Sequence, residues 1–88
     1  MKMRCELKIT LEDWDNNEHE IGMFMHISNS ADDDHIAEIV MDQVEKQIEE
    51  CPETVIGHAT LMIPEQGVEY EFSYVLGRTG NWEHQLMH

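Results

Sequence analysis

The side chains that could do chemistry in this sequence are mainly carboxylates. Its 88 residues hold 19 Asp and Glu against 5 Lys and Arg, with 6 His and 2 Cys, and the formal net charge is -14. Paired carboxylates can act as general acids and bases, but so many acids make any single pair uninformative. The sequence has no GxSxG nucleophile motif, no phosphate-binding glycine loop and no HExxH motif. We therefore predict a protein without enzymatic activity.

Histidines lie beside acids in two clusters, at residues 18–20 and 32–35, and a further pair, His84 and His88, lies in the tail. Hard cations need several oxygens converging at about 2.0–2.6 Å, whereas successive side chains at a helix start diverge around its axis. The sequence also lacks the alternating oxygen ligands and central glycine of an EF-hand. We predict no metal and no cofactor, and keep a metal-binding module as the third hypothesis for function.

The two cysteines indicate the cellular environment more than a reaction. Cys5 lies on the apolar face of an alternating segment and Cys51 near the end of a helical one, without the paired spacing of a zinc site. Such residues are typical of reduced, partly buried thiols in a cytosolic protein. The chain has no apolar run of roughly 18 residues and does not begin as a signal peptide does. We expect a cytoplasmic protein with no membrane partner.

Residues 30–51 form the segment with a sustained helical period. Its main apolar residues recur every four positions, at Ile36, Val40, Val44 and Ile48. This spacing predicts an amphipathic helix with one face buried. Ser30 is the predicted N-cap, with Asp33 three residues later as in a capping box. Pro52 is expected to end the helix, because the residue before a proline disfavours helical geometry.

The polar face of this helix carries the most informative charges. Four acids recur there at intervals of three and four residues: Glu38, Asp42, Glu45 and Glu49. Like charges at these spacings repel one another by roughly 0.2–0.5 kcal/mol per pair. The acids at residues 32–34, by contrast, complement the helix dipole or cap the first turn. Carboxylates that cost stability without a local benefit are the better candidates for a binding surface.

The segments before and after the helix alternate apolar and polar residues with a period of two. Four such segments are predicted as strands: residues 2–11, 21–28, 55–63 and 68–76. The tail is either a short fifth strand or a loose end, and Trp82 and Leu86 suggest that part of it docks on the core. The prediction is a single α+β domain over residues 1–88, with order β-β-α-β-β. Its four-stranded or five-stranded sheet is antiparallel or mixed, and one amphipathic helix packs on one face.

Charge and residue size suggest how the strands are arranged. Three of the five cations lie on the polar side of the first strand: Lys2, Arg4 and Lys8. Pairing of these cations with Glu69 and Glu71 would make the first and fourth strands neighbours. Gly57 in the third strand predicts a place where the helix packs closely. Tight turns are predicted on both sides of the fourth strand, at residues 64–67 and 77–80.

The helix can cover only one face of such a sheet. Phe24, Ile56 and Met62 fall on the other face in the alternating pattern. A cluster of exposed apolar residues on one face is typical of a dimer or partner surface. A small assembly domain that forms a homodimer through this face is the second hypothesis for function.

The distribution of charge gives the leading hypothesis. Residues 9–45 contain 11 acids and no Lys or Arg. Such a surface repels nucleic acid and anionic membranes and attracts basic proteins. We therefore predict a protein-binding module without direct nucleic-acid contact. The most specific prediction is that it acts as an inhibitor or nucleic-acid mimic, of phage or mobile-element type, on a basic nucleic-acid-binding protein. The predicted partner-binding residues are Asp13, Asp15, Glu18, Glu20, Asp34, Glu38, Asp42, Glu45 and Glu49.

Overall fold

The computed structural model describes residues 1–76 and the backbone of a final strand at residues 82–87. Its elements are β1 (Lys2–Asp13), β2 (Glu18–Ser28), α1 (Asp33–Glu50), β3 (Thr54–Ile63), β4 (Val68–Leu76) and β5 (Trp82–Met87). The predicted α+β class and element order are confirmed, and the tail does contain a short fifth strand. The predicted turn at residues 77–80 and the docking of the Trp82 and Leu86 side chains lie outside the described residues.

The strands form one antiparallel sheet in the spatial order β2-β1-β3-β4-β5. Since β2 and β3 both run antiparallel to β1, they are parallel to each other, with β1 between them. The helix α1 connects β2 to β3 across β1, which is a split β-α-β arrangement. This crossover places α1 over β1 and β3 on one face of the sheet.

The predicted pairing of the first and fourth strands is wrong, because β3 lies between them. Leu61 of β3 is opposite Leu7 on one side and Tyr70 on the other. Lys8 instead forms an ion pair with Glu20 on β2. An exposed charge pair across strands contributes only about 0.2–1 kcal/mol. The burial of alternate apolar residues of β3 at the centre of the sheet outweighs such a contribution.

The helix begins two residues later than predicted, because Asp32 and not Ser30 is its N-cap. Asp32 has extended geometry, and its carboxylate accepts a 2.8 Å hydrogen bond from the backbone N–H of His35. The Ser30 hydroxyl lies 2.8 Å from the Ser28 hydroxyl and belongs to the turn that leaves β2. Both residue types are good N-caps, so the sequence alone did not distinguish them. The predicted end of the helix before Pro52 is confirmed.

One hydrophobic core fills the space between α1 and the sheet. The helix contributes Ile36, Val40 and Val44. The sheet contributes Met3, Cys5, Leu7, Ile9, Leu11, Ile27, Ala59, Leu61, Ile63, Phe72 and Tyr74. The predicted close approach at Gly57 is confirmed: a Cβ atom there would lie 3.3 Å from Leu11 Cδ2 and 3.9 Å from Val44 Cγ1. The inner face of α1 is therefore fixed on the sheet, and its outer face is held in a defined orientation.

Candidate functional site

Five acids lie along the side of α1 that faces away from the sheet. We call them the acidic row: Asp34, Glu38, Asp42, Glu45 and Glu49. All five are exposed, and neighbours along the row are separated by three or four residues, which places them on one face of the helix. At a rise of 1.5 Å per residue the row is about 22 Å long. The structure thus presents a straight line of carboxylates on a helix that is packed against the core.

The acidic row has little cationic relief. Among the described residues, the ion pairs are Lys8 with Glu20 and His35 with Glu38. The second pair is 4.0 Å long and is an ion pair only when His35 is protonated. Lys46 is exposed on the same helix, and the other described cations lie on β1, on the face of the sheet away from α1. Most of the negative charge of the row therefore faces solvent.

Asp13 builds the turn between β1 and β2. Its carboxylate accepts hydrogen bonds from the backbone N–H groups of Asp15 and Asn17, at 2.9 and 3.0 Å, and from the side-chain amide of Asn17 at 3.3 Å. Asn16 takes the left-handed conformation, with φ of 63°. The hydrogen bond from the Asn17 backbone is the main cause that lowers the pKa of Asp13. Asp13 has a structural task, whereas Asp15 is exposed in the turn.

The predicted partner-binding acids divide between two sides of the molecule. Glu18 and Glu20 lie on the face of β2 that points away from α1, where Glu20 pairs with Lys8 and Glu18 is opposite Glu12. The sheet separates these residues from the acidic row. The structure therefore brings five of the nine predicted residues into one surface and places the other four on the turn or on the far face of β2.

A shallow groove of about 300 Å³ lies where the end of α1 meets the β1–β2 turn. Asp13 and His19 line one side of it and Glu50 the other. In the part of the chain that the structure describes, no three His, Cys, Asp or Glu side chains come close enough to hold a metal ion. The tail pair His84 and His88 lies outside the described side chains.

Both cysteines, the buried Cys5 and the half-buried Cys51, are free thiols. Burial is the main cause that raises the pKa of Cys5.

Trp14 is a candidate binding residue that the sequence reasoning missed. Its side chain is 80% exposed in the β1–β2 turn, between Asp13 and Asp15. This turn lies at the same end of the molecule as the C-terminal end of α1, since both line the groove. Exposed tryptophans are strongly enriched among residues that dominate binding energy at protein interfaces. The signal was a large aromatic residue in a polar turn, without an apolar residue two positions away on either side.

Comparison with protein-family models, curated proteins and solved structures finds no match for this chain. Among the described residues, no helix combines the length and the apolar character needed to cross a membrane.

The sheet face away from α1 holds the three predicted dimer residues in two separate places. Phe24 and Met62 lie in one cross-strand row, on either side of Glu6. Ile56 lies beside Val75, about 20 Å from Met62 at 3.3 Å per residue along β3. Two polar rows separate these places: Lys8, Thr60 and Glu71, then Thr10, His58 and Ser73. The exposed apolar residues of this face do not form one continuous patch.

Proposed function

We propose that this protein is a non-enzymatic module that binds a basic nucleic-acid-binding protein and blocks its nucleic-acid site. The observation that carries the proposal is the acidic row, with five exposed carboxylates on one helix face and little cationic relief. The proposed role is that of a small inhibitor of phage or mobile-element type.

The spacing of the row suits a phosphate mimic. It presents five carboxylates over about 22 Å, a length over which one strand of duplex DNA carries about six phosphates. Because α1 is packed on the sheet, the backbone that carries the five carboxylates is already ordered. Less conformational freedom is therefore lost on binding. A groove lined by Lys and Arg could engage several of these carboxylates at once.

The energetics of the free protein support the same proposal. Repulsion between neighbours in the row costs roughly 0.2–0.5 kcal/mol per pair. A basic partner would relieve this repulsion, and the net charge of -14 would speed its approach. The row is therefore better matched to a bound state than to the isolated protein.

The test measures binding of the labelled protein to a panel of purified basic DNA-binding proteins: a restriction endonuclease, a repressor and an RNA-guided nuclease. Fluorescence anisotropy at about 50 mM sodium chloride, where charge attraction is strong, reports binding. Unlabelled duplex DNA should then compete with the acidic protein for the same site. Absence of binding to every member of the panel at this salt concentration contradicts the proposal.

A pair of variants with equal net charge locates the binding surface. In the first variant, four acids of the row are neutralised: Glu38→Gln, Asp42→Asn, Glu45→Gln and Glu49→Gln. In the second, four acids on the opposite sheet face are neutralised: Glu6→Gln, Glu12→Gln, Glu69→Gln and Glu71→Gln. We expect at least a tenfold loss of affinity for the row variant and less than about threefold for the other. Equal losses would mean that net charge, and not the row, governs binding.

Trp14 offers a second measurement on the same complex. Since it lies at the end of the molecule where the row terminates, we expect it to contact the partner beside the groove. Trp14→Ser should weaken binding without changing the free energy of unfolding, because the side chain is exposed in the free protein.

The homodimer through the uncovered sheet face has weaker support. Its apolar residues are split between two places, and polar rows lie between them. Sedimentation of an Ile56→Glu variant tests it directly. Loss of a dimer on this substitution would favour the sheet face, since Ile56 lies on its central strand, β3.

A further inference from the structure

Strand β2 forms one edge of the sheet, and its outer side has few of the features that normally prevent strand pairing. Its eight residues 21–28 contain no Asp, Glu, Lys, Arg or Pro. Its pairing with β1 runs from Ser28 to Glu18 without a bulge. The helix packs over β3 and β1, so it lies to one side of this edge. Proteins usually protect such an edge with charge, proline or irregular geometry.

The hydrophobic core is incomplete at this edge. Cys5, Leu7 and Ile9 of β1 are fully buried, at 0% exposure. Their cross-strand neighbours on β2 are only half-buried: Met25, Met23 and Ile21. On the other side of β2, Phe24 is 63% exposed, with the Arg4 guanidinium 4.4 Å from the centre of its ring. A strand added beside β2 would complete the burial of these apolar residues.

We propose that β2 pairs antiparallel with β2 of a second copy of this chain, about a twofold axis at Phe24. This register brings no like charges together. It places Phe24 opposite Phe24, Gly22 opposite His26, Met23 opposite Met25, Ile21 opposite Ile27, and Glu20 opposite Ser28. No acid faces an acid across the axis, since the acidic end of each β2 meets the uncharged end of its partner. The aromatic pair at the centre adds a favourable cross-strand contact.

The proposed dimer is a continuous ten-stranded sheet. Its twofold axis is perpendicular to the sheet, so both helices lie on the same face and both acidic rows point away from the sheet into solvent. Both acidic rows remain accessible in the dimer, so the dimer and the proposed inhibitory function can be tested separately. Two chains of net charge -14 repel at long range, and salt screens this repulsion. Dimer formation should strengthen with salt, whereas binding to a basic protein should weaken.

Sedimentation equilibrium tests the association. We expect the mass of two chains at about 0.5 M sodium chloride and a lower dimer fraction at about 50 mM. Phe24→Lys should lower the association constant at least tenfold, because it places two cations together at the axis. Ile56→Glu, on the sheet face away from the edge, should leave the association unchanged. A monomer at high salt and high protein concentration overturns the proposal, and the edge of β2 would then be available only to a strand of another protein. Loss of the dimer in Ile56→Glu also overturns the proposal.

Disulfide cross-linking tests the register, in a Cys51→Ser background. Phe24→Cys should cross-link two chains on mild oxidation, because facing Cβ atoms in antiparallel strands lie about 4.5–5.5 Å apart. His26→Cys should not, because in this register its copies lie about 13 Å apart along the strand direction. Both side chains are exposed, so neither substitution should unfold the protein. Equal cross-linking at the two positions contradicts the register.

Discussion

The Tyr70 hydroxyl donates a hydrogen bond of 3.1 Å to Asp33 Oδ1, which joins β4 to the first turn of α1. The two residues are 37 positions apart in the chain, so the bond fixes the start of the helix relative to the sheet. Burial, followed by this bond, raises the pKa of Tyr70. Asp33 also complements the helix dipole. It therefore has two structural tasks, which distinguishes it from the neighbouring Asp34 of the acidic row.

Removing this bond should lower the stability of the protein. We expect Tyr70→Phe to reduce the free energy of unfolding by about 1 kcal/mol, as for a typical hydrogen bond. Urea unfolding followed by circular dichroism measures it. Asp33→Asn and Asp34→Asn form a matched pair in the same turn, and the first should cost more than the second. Equal effects of the pair would show that the bond to Tyr70 adds nothing to stability.

Neutralising one member of the acidic row should stabilise the free protein. Glu45 is spaced to repel both Asp42 and Glu49, so Glu45→Gln removes two unfavourable pairs. The expected gain in the free energy of unfolding is about 0.4–1 kcal/mol at low salt. The gain should shrink in about 1 M sodium chloride, where exposed charges are screened. A loss of stability in low salt would mean that Glu45 has a structural role, which would weaken the argument for a binding surface.

The sequence predicted the fold class because its signals are local. The four-residue spacing from Ile36 to Ile48 defines the buried face of α1, and the small Gly57 marks where the helix approaches the sheet. Gly67, with φ of 63°, closes the predicted turn after β3. The helical period and the turn depend on neighbours within a few positions, where geometry and residue type are closely linked. Gly57 was recognised by its small size alone, although the side chains around it, Leu11 and Val44, are distant in the chain.

The order of the strands and the grouping of the acids depended on contacts between distant residues. The sequence did not reveal that β3 separates β1 from β4, and so Lys8 pairs with Glu20 and not with an acid of β4. Nor did it show that Asp13 is occupied by hydrogen bonds in its own turn. The sequence distinguished the acids at the helix start from those on its polar face, but it did not show which of the remaining acids lie in a turn and which lie on the far face of the sheet.

Stability should decline at alkaline pH through Tyr74, which is 1% exposed in the core. Burial, with a smaller contribution from the charge of Glu45, raises the pKa of Tyr74 above its ordinary value. Tyrosine in the unfolded chain ionises at about pH 10, whereas Tyr74 in the folded protein keeps its proton to higher pH. The unfolded state then binds fewer protons, so the stabilisation is complete below about pH 10 and is lost as the pH rises above it.

Urea unfolding measured from neutral pH to above about pH 10 checks this dependence. In Tyr74→Phe the free energy of unfolding should fall less steeply above that pH than in the parent protein. Tyr70→Phe should have a smaller effect on the slope, because Tyr70 is less buried. An unchanged slope in Tyr74→Phe would assign the alkaline loss to other groups.

The two glycines Gly57 and Gly22 should respond differently to the same substitution. A Cβ atom at Gly57 would lie 3.3 Å from Leu11 Cδ2 and 3.6 Å from Tyr74 Cβ, under the helix. At Gly22, on the exposed face of β2, no atom beyond the glycine and its two chain neighbours lies within 4 Å of the added carbon. Gly57→Val should therefore overpack the core and lower the free energy of unfolding by about 1–3 kcal/mol. Gly22→Val should be neutral or slightly stabilising, because valine favours extended strands. Urea unfolding at low protein concentration, which disfavours the proposed dimer, compares the two variants. If Gly57→Val is tolerated as well as Gly22→Val, the Leu11 and Tyr74 side chains are not closely packed around Gly57, which contradicts the tight packing of the core beneath α1.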